Sequence, residues 1–102
     1  MVTVIAKLKV KSGREADFER AAREMVAHVK AHEPGTLTYV LHRSSADPTV
    51  FAFYEVYADS AAFTAHSGSD RMRQFGRGLG GVLDGQPDIT MYEELDGKRA
   101  GG

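Results

Sequence analysis

Residues 54–75 read YEVYADSAAFTAHSGSDRMRQF, and this stretch decides how the chain folds. Its first four residues are typical of the end of an aromatic-rich strand, and Asp59 is typical of a residue that caps the start of a helix. His66 falls at the far end of that short helix. Ser69 is a second cap, for a helix running from about Asp70 towards Leu83. The stretch therefore predicts a strand followed by two consecutive helices.

Upstream of this stretch, the pattern predicts a strand and then a long helix. Val2 to Val10 alternates apolar and polar side chains, as a half-buried strand does. Ser12-Gly13-Arg14-Glu15 is a capping box, in which Ser12 and Glu15 each satisfy a free backbone N–H. The helix that follows ends at Pro34-Gly35. Its apolar stripe, which indicates packing on a sheet, consists of Phe18, Ala22, Met25, Val26 and Val29.

Three further strands complete the predicted sheet. Thr36 to Arg43 and Val50 to Tyr57 form an antiparallel hairpin. Asp84-Gly85-Gln86-Pro87 then turns the chain into a last strand, roughly Asp88 to Leu95. We expect one domain over residues 1–95 and a flexible tail over residues 96–102, whose side chains are small and polar.

This β-α-β-β-α-α-β order predicts a ferredoxin-like α+β fold with an antiparallel sheet. Two right-handed crossovers place all helices on one face of the sheet. The third strand is apolar on both faces: one face has Phe51, Phe53 and Tyr57, and the other has Val50, Ala52, Tyr54 and Val56. Because helices cover only one face, we expect a homodimer through the open face. Thr3, Ile5, Lys7 and the face of Phe51, Phe53 and Tyr57 are expected beside that interface.

The composition argues against several classes of function. A formal net charge of −1 over 102 residues, with a pI near 6.4, gives no electrostatic case for binding nucleic acid or an anionic membrane. The absence of cysteine excludes disulfides, thiolate metal sites, iron–sulfur clusters and a cysteine nucleophile. The N-terminal sequence lacks a secretory signal, and no apolar run reaches transmembrane length, so we expect a cytoplasmic protein.

Two side chains of the deciding stretch are candidates for chemistry. His66 ends a helix, where an imidazole can cap the last turn or serve as an acid or base. Glu55 is the only charged residue of an apolar strand. Its carboxylate either pairs with a cation of a neighbouring strand (Lys7, Lys9 or Arg43) or belongs to a site. The aromatic residues nearby either wall a ligand site or fill the core.

Three other patterns are weaker. His28 and His32 lie four residues apart on the first helix, but two histidines without a third ligand make a poor metal site. Residues 76–81, GRGLGG, match G-x-G-x-x-G yet follow a helix, whereas a dinucleotide fingerprint follows a strand. Their glycines instead predict a weakened helix or a mobile lid. Gly101-Gly102 is similar to the end of ubiquitin-like sulfur carriers, which have a hairpin before their first long helix.

The order of aromatic strand, Asp59-capped helix, His66 and second helix resembles the antibiotic biosynthesis monooxygenase (ABM) family of dimeric α+β barrel proteins, over about residues 1–95. That family includes cofactor-free quinol or anthrone oxygenases, haem-degrading enzymes and a sugar-phosphate isomerase. Haem-degrading members use a first-strand Asn, a Trp at the place of His66 and a His on the next helix, all absent here. Polyketide oxygenases use Asn and Trp where this chain has Ala62 and His66.

The resemblance implies a cofactor-independent monooxygenase that oxidises a small aromatic hydroquinone or phenol with O₂ in a pocket between sheet and helices. His66 is the expected base, with Tyr54 and Glu55 as hydrogen-bonding or orienting groups. The expected substrate-binding residues are Tyr39, Phe53, Phe63, Met72, Phe75 and Met91. Neither a metal nor a cofactor is expected. The alternative is a non-redox small-ligand-binding protein or an isomerase on the same scaffold.

Overall fold

The computed structural model describes residues 1–101 and has the predicted order of strands and helices. The elements are β1 (Val2–Lys9), α1 (Glu15–His32), β2 (Thr36–Arg43), β3 (Val50–Tyr57), α2 (Ser60–Ser67), α3 (Asp70–Gly78) and β4 (Asp88–Tyr92). The ferredoxin-like α+β prediction is confirmed. The hairpin strands β2 and β3 have the predicted bounds, whereas β4 ends at Tyr92 rather than Leu95.

The sheet is antiparallel, with the strand order β2-β3-β1-β4. Its register sets Val4 of β1 opposite Glu55 of β3, and Glu55 opposite Tyr39 of β2. Residues directly opposite each other on neighbouring strands point to the same face of a sheet. These three side chains therefore form one row across the sheet, on the face where the helices pack.

Helix α1 fills one part of the core. Its buried stripe faces the sheet and consists of Phe18, Ala22, Met25 and Val29. Phe18 lies against Phe51 of β3, with ring centroids 4.7 Å apart. Burying a large apolar side chain contributes about 1.5–3 kcal/mol. This stripe therefore holds the longest helix on the sheet.

The predicted caps are confirmed for the two short helices but not for α1. Asp59 accepts a hydrogen bond from Ala62 N at 2.8 Å, and Ser69 accepts one from Met72 N at 3.1 Å. The prediction that Ser12 caps α1 is wrong, because the helix begins at Glu15 with Arg14 as its N-cap. Gly13, at φ 91°, turns the chain between Ser12 and the helix.

Helix α3 ends at Gly78, five residues before the predicted end at Leu83. Glycine is a poor helix former, which explains the early end. Beyond it the backbone closes tight turns, such as Leu79 N to Gly76 O at 3.2 Å, and Leu79 and Val82 are buried. The mobility expected of residues 76–81 stays a prediction.

The second face of the sheet carries Val50, Ala52, Tyr54 and Val56 of β3 together with Thr3, Ile5 and Lys7 of β1. The expectation that Phe51, Phe53 and Tyr57 lie beside this open face is wrong. Phe51 and Phe53 pair with Leu8 and Ala6 and belong to the core under the helices. The sequence predicts the alternation of β3 but leaves its direction open, because both faces are apolar.

Two features bear on the other predictions for the chain. None of the helices within residues 1–101 is long and apolar enough to cross a membrane. Residues 93–99 follow β4 without helix or strand. The flexible tail at 96–102 stays a prediction, and Gly102 lies outside the described residues.

Candidate functional site

A cavity of about 570 Å³ lies between the sheet and helices α2 and α3. Small-molecule sites typically enclose about 300–1,000 Å³, whereas an apolar cavity of about 150 Å³ is enough to hold benzene. The cavity therefore has room for a ligand larger than a single aromatic ring. Its apolar walls include Val4, Ala6, Leu8, Phe53, Phe63, Met72, Phe75, Leu79, Leu83 and Ile89.

The ionisable side chains of the cavity gather at one end of it. Tyr39 and Glu55 belong to the row of Val4, and His66 reaches this row from α2. The wall continues along β1 through Ala6 to Leu8. At about 3.3 Å per strand residue, this apolar wall extends roughly 13 Å from the polar end.

His66 is held by Glu33, a residue from the far end of α1. The imidazole Nδ1 lies 2.7 Å from Glu33 Oε1, and the His66 side chain is only 4% exposed. Thr36 donates its hydroxyl to the same carboxylate oxygen at 2.8 Å. The rings of Tyr39 and Tyr57 pack against the imidazole, with centroids 5.2 and 5.4 Å away. His66 is therefore a fixed, buried group and not a solvent-exposed helix cap.

Glu55 is buried beside His66 and is bonded to a phenol. The Tyr57 hydroxyl donates to Glu55 Oε1 at 2.5 Å. Burial raises the pKa of Glu55, an effect that this hydrogen bond opposes. Pairing of Glu55 with a cation is not what the structure shows: Lys7 lies on the open face, and Arg43 pairs with Glu19. Glu55 therefore faces the cavity without a cationic partner among residues 1–101.

The two phenols of the site are held in their neutral form. Burial raises the pKa of Tyr39 above its ordinary value. The pKa of Tyr57 is also raised, first by burial and then by its hydrogen bond to Glu55. Both hydroxyls therefore keep their protons at neutral pH, and that of Tyr57 donates to Glu55.

Seven of the nine predicted site residues line the cavity: His66, Glu55, Tyr39, Phe53, Phe63, Met72 and Phe75. Tyr54 does not, because adjacent strand residues point to opposite faces and Glu55 takes the inner one. Tyr54 instead lines a groove on the open face and is 37% exposed. Met91 lies on the edge strand β4, is 54% exposed and is not part of the cavity wall.

Glu33 is the site residue that the sequence analysis missed. The one signal for it is local: an acidic residue stands directly before Pro34-Gly35, at the negative end of the helix dipole, where carboxylates are disfavoured. A placement of this kind points to a partner elsewhere. The sequence does not name that partner, since His66 lies 33 residues away.

The charge of the lining limits what the cavity can bind. Across residues 1–101, no lysine or arginine lines it, while Glu55 does. The same residues contain no cluster of three or more potential metal ligands, and the rings of His28 and His32 pack against each other at a tilt of 42°, with centroids 4.8 Å apart. The arrangement favours uncharged ligands that bring a hydroxyl to the polar end, because a buried anion without a cationic partner is unstable.

Known proteins share this architecture. The family model for antibiotic biosynthesis monooxygenase matches residues 1–78. A Caulobacter crescentus CB15 structure bearing that family name is 35% identical, with a TM-score of 0.88 over 93% of this chain and 90% of that one. PA3566 from Pseudomonas aeruginosa is 29% identical, with a TM-score of 0.85 over 93% and 94% of the two chains.

More distant relatives share the fold alone. Rv0793 from Mycobacterium tuberculosis is 21% identical, with a TM-score of 0.87 over 96% of this chain and 98% of that one. No functionally curated protein matches the chain significantly. The family match over residues 1–78, the 35% identical relative and the shared fold together show that the chain belongs to the antibiotic biosynthesis monooxygenase family.

Proposed function

We propose that the protein is a cofactor-independent monooxygenase for an aromatic hydroquinone or related phenol. The observation that carries the proposal is the buried His66–Glu33 pair at the polar end of an otherwise apolar cavity. Such a reaction requires a base in a cavity that excludes water, because the substrate itself supplies the electrons. Family membership supports the reaction type, and the cavity walls support an aromatic substrate.

The first step is removal of a hydroxyl proton by His66. Glu33 stabilises the imidazolium that forms, since its carboxylate lies 2.7 Å from the ring. Glu55 and Tyr39 lie in the same row and hydrogen-bond the substrate oxygens. Tyr54 takes no part, because it lies on the open face. The resulting phenolate is electron-rich and passes one electron to O₂.

The remaining steps balance without another reactant. The semiquinone radical and superoxide combine to form a carbon–oxygen bond, and the His66 imidazolium protonates the resulting peroxide to a ring hydroperoxide. The ring carbon then gives its hydrogen to His66 as a proton while the O–O bond breaks, and the departing hydroxide takes that proton and leaves as water. Overall, one hydroquinone and one O₂ give one hydroxyquinone and one water. Four electrons pass from the substrate to O₂.

The apolar walls serve this chemistry by excluding water. Phe53, Phe63 and Phe75 surround the place where a ring would lie. Water there would solvate the phenolate and hydrolyse reactive intermediates. The same walls bind flat aromatic substrates through apolar burial.

The test is oxygen uptake by metal-free protein with a panel of hydroquinones such as naphthalene-1,4-diol, corrected for autoxidation without protein. We expect turnover, and ¹⁸O₂ should place one labelled atom in the product. His66→Gln should reduce uptake about 10²–10⁴-fold, whereas His32→Gln, at an exposed histidine on α1, should leave it unchanged. Absence of catalysed uptake across the panel would contradict the proposal.

A proton-transfer isomerase or non-redox binding protein is the second candidate. Two ionisable groups on one cavity, His66 and Glu55, favour it, because acid–base isomerisation needs a base and an acid. For this second candidate, calorimetry of the matched pair 2-naphthol and 2-naphthoate distinguishes an uncharged ligand from an anionic one. Naphthol should bind at least about tenfold more tightly, since an unpaired buried charge costs more than about 1.4 kcal/mol. Tighter binding of naphthoate would point to an anionic ligand and against both phenol chemistry and the proposed cavity electrostatics.

The protein is further proposed to act as a homodimer through the open sheet face. Apolar side chains are exposed there, including Val40 and Tyr54. Apolar surface on a strand that has no covering layer favours association. Light scattering at micromolar concentration should give twice the chain mass of 11.1 kDa. A monomer mass would contradict the dimer and leave the cavity proposal untouched.

A further inference from the structure

We propose that Glu33 is a positioning residue that fixes the tautomer of His66, and that Gly35 allows helix α2 to approach closely enough for the two side chains to meet. This inference rests on the proposed role of His66 as a base. It adds a positioning residue, Glu33, and a close contact at Gly35, and the reaction by itself specifies neither of them.

Glu33 is itself held in place before it holds His66. Its backbone N–H donates to Val29 O at 3.0 Å, which ends α1, and its backbone carbonyl accepts from Thr36 N at 3.1 Å. Thr36 Oγ1 also donates to the carboxylate oxygen that meets His66. The carboxylate is therefore fixed at the junction of α1 and β2.

The hydrogen bond between the two side chains dictates where the imidazole proton sits. An ionised carboxylate can only accept hydrogen bonds, so Nδ1 of His66 has to donate. In the neutral ring the other nitrogen, Nε2, is then left with its lone pair. His66 lines the cavity, and no residue within 1–101 forms a hydrogen bond with Nε2. The nitrogen that is free to take a substrate proton is therefore the basic one.

The packing of the ring keeps this arrangement from reversing. Tyr39 and Tyr57 flank the imidazole, and Tyr57 also packs edge-on against Phe63 with centroids 5.3 Å apart. A flip of the ring would turn Nδ1 away from Glu33 and leave Thr36 as the only hydrogen-bond partner of that carboxylate oxygen. Losing a hydrogen bond between a carboxylate and a buried imidazole disfavours the flipped ring.

Gly35 explains how α2 reaches Glu33. A Cβ atom at this position would lie 2.8 Å from Ala62 Cβ, closer than two non-bonded carbon atoms can approach. Ala62 and His66 are four residues apart on α2, so they lie on the same side of that helix. The absence of a side chain at Gly35 and the small one at Ala62 thus set the distance that lets His66 meet Glu33. Gly35 O also accepts from Ala58 N at 2.9 Å, which ties the turn to the start of α2.

The experiment is two-bond ¹H–¹⁵N NMR on protein labelled at histidine nitrogen, because it reads the tautomer of each neutral imidazole without any substrate. The His66 signal is assigned with His66→Gln. Wild-type His66 should carry its proton on Nδ1. Glu33→Leu should lose this preference, and Gly35→Ala should weaken it, whereas Glu24→Gln (exposed, on α1) and Gly78→Ala (open space around the Cβ) should leave it unchanged.

Turnover provides the second readout. Glu33→Gln keeps the size of the side chain but removes its charge, so kcat should fall about 10–100-fold with little change in KM. Wild-type His66 protonated on Nε2, or a tautomer that does not respond to Glu33→Leu, would overturn the inference. The wild-type tautomer decides the question even if Glu33→Leu does not fold. If the NMR result holds while wild type consumes no oxygen, only the monooxygenase proposal fails.

Discussion

Under helix α1 the space between helix and sheet is filled, whereas under α2 and α3 it contains the cavity. Phe18, Met25 and Phe51 are fully buried in the first region and belong to its apolar cluster. The second region holds the buried ionisable groups Glu55 and His66. One sheet thus supports two kinds of interior. The filled region under α1 contributes stability. The region under α2 and α3 contains empty volume and polar groups that a ligand would contact.

The largest expected effect is the loss of activity when a residue of the cavity, rather than one of the filled core, is changed. His66→Gln should reduce oxygen consumption about 10²–10⁴-fold, because it removes a general base. The glutamine amide can still donate to Glu33, so the fold should survive. His66→Ala is the harsher variant, since it leaves the buried Glu33 carboxylate without its partner.

Circular dichroism and thermal unfolding control for folding in that comparison. Phe18→Leu, a volume-reducing change in the closed core, should do the reverse: it should lower stability while turnover per folded molecule stays near that of wild type. Unchanged oxygen consumption in folded His66→Gln would show that the imidazole is structural and would remove the proposed base.

A matched pair of methionines compares the packing of the regions directly. Met25 is fully buried under α1, and Met72 is a partly buried residue of the cavity wall. Met25→Ala should lower the free energy of unfolding by about 2–5 kcal/mol, because it opens a new void in a filled core. Met72→Ala should cost about 1 kcal/mol, since its side chain already faces empty volume. Equal losses in urea unfolding would mean that the cavity wall is as tightly packed as the core.

The pH dependence of stability tests the polar end. The pKa of Glu55 is raised by burial, so the folded state binds its proton more tightly than the unfolded chain does. Its contribution is fully present below the unfolded pKa of about 4.3 and is lost as pH rises through the raised folded value. Each pKa unit of such a difference corresponds to about 1.4 kcal/mol.

Glu55→Gln should therefore flatten the loss of stability as pH rises above the unfolded-state pKa of about 4.3. The exposed control Glu24→Gln should keep the wild-type slope. Urea unfolding at several pH values measures both variants. A wild-type slope retained in Glu55→Gln would indicate that Glu55 is ionised and satisfied in the folded protein.

The smallest expected effect concerns the glycine-rich rim of the cavity. Gly78→Ala has open space around the new Cβ and lies in the last turn of α3, so it should raise stability by about 0.4–1 kcal/mol. Hydrogen exchange should be faster at residues 76–81 than in α1, because the hydrogen bond from Gly80 N to Arg77 O is long, at 3.5 Å. Exchange there as slow as in α1 would show a rigid rim.

The caps and the strand pattern were predictable because their signals are local. Asp59 and Ser69 bond backbone groups three residues away, so residue type and spacing identify them. The bounds of the hairpin strands follow from apolar runs between polar turns. Ser12 misled the same reasoning, because the turn at Gly13 moved the helix start beyond it.

The sequence predicted residues of the site only where a single residue differed clearly from its neighbours in the sequence. Glu55 stands out because a lone ionisable side chain in an apolar strand needs a partner, and His66 stands out because it ends a short helix. The partners themselves were missed. Glu33 became visible only when α1 and α2 met. Tyr57 lies two residues from Glu55 on the same face of β3, so the alternation of that strand already brings these two side chains together.

By itself, the sequence of this protein determined its elements, their order, the alternation of β3 and the resemblance to its family, since periodicity and caps act over a few residues. Tertiary structure decided which face of β3 turns inward, and with it the burial of Glu55 and the exclusion of Tyr54. It also decided the pairing of His66 with Glu33 across the Gly35–Ala62 contact. Such choices depend on which apolar surfaces bury best together, a free-energy comparison that involves the whole chain.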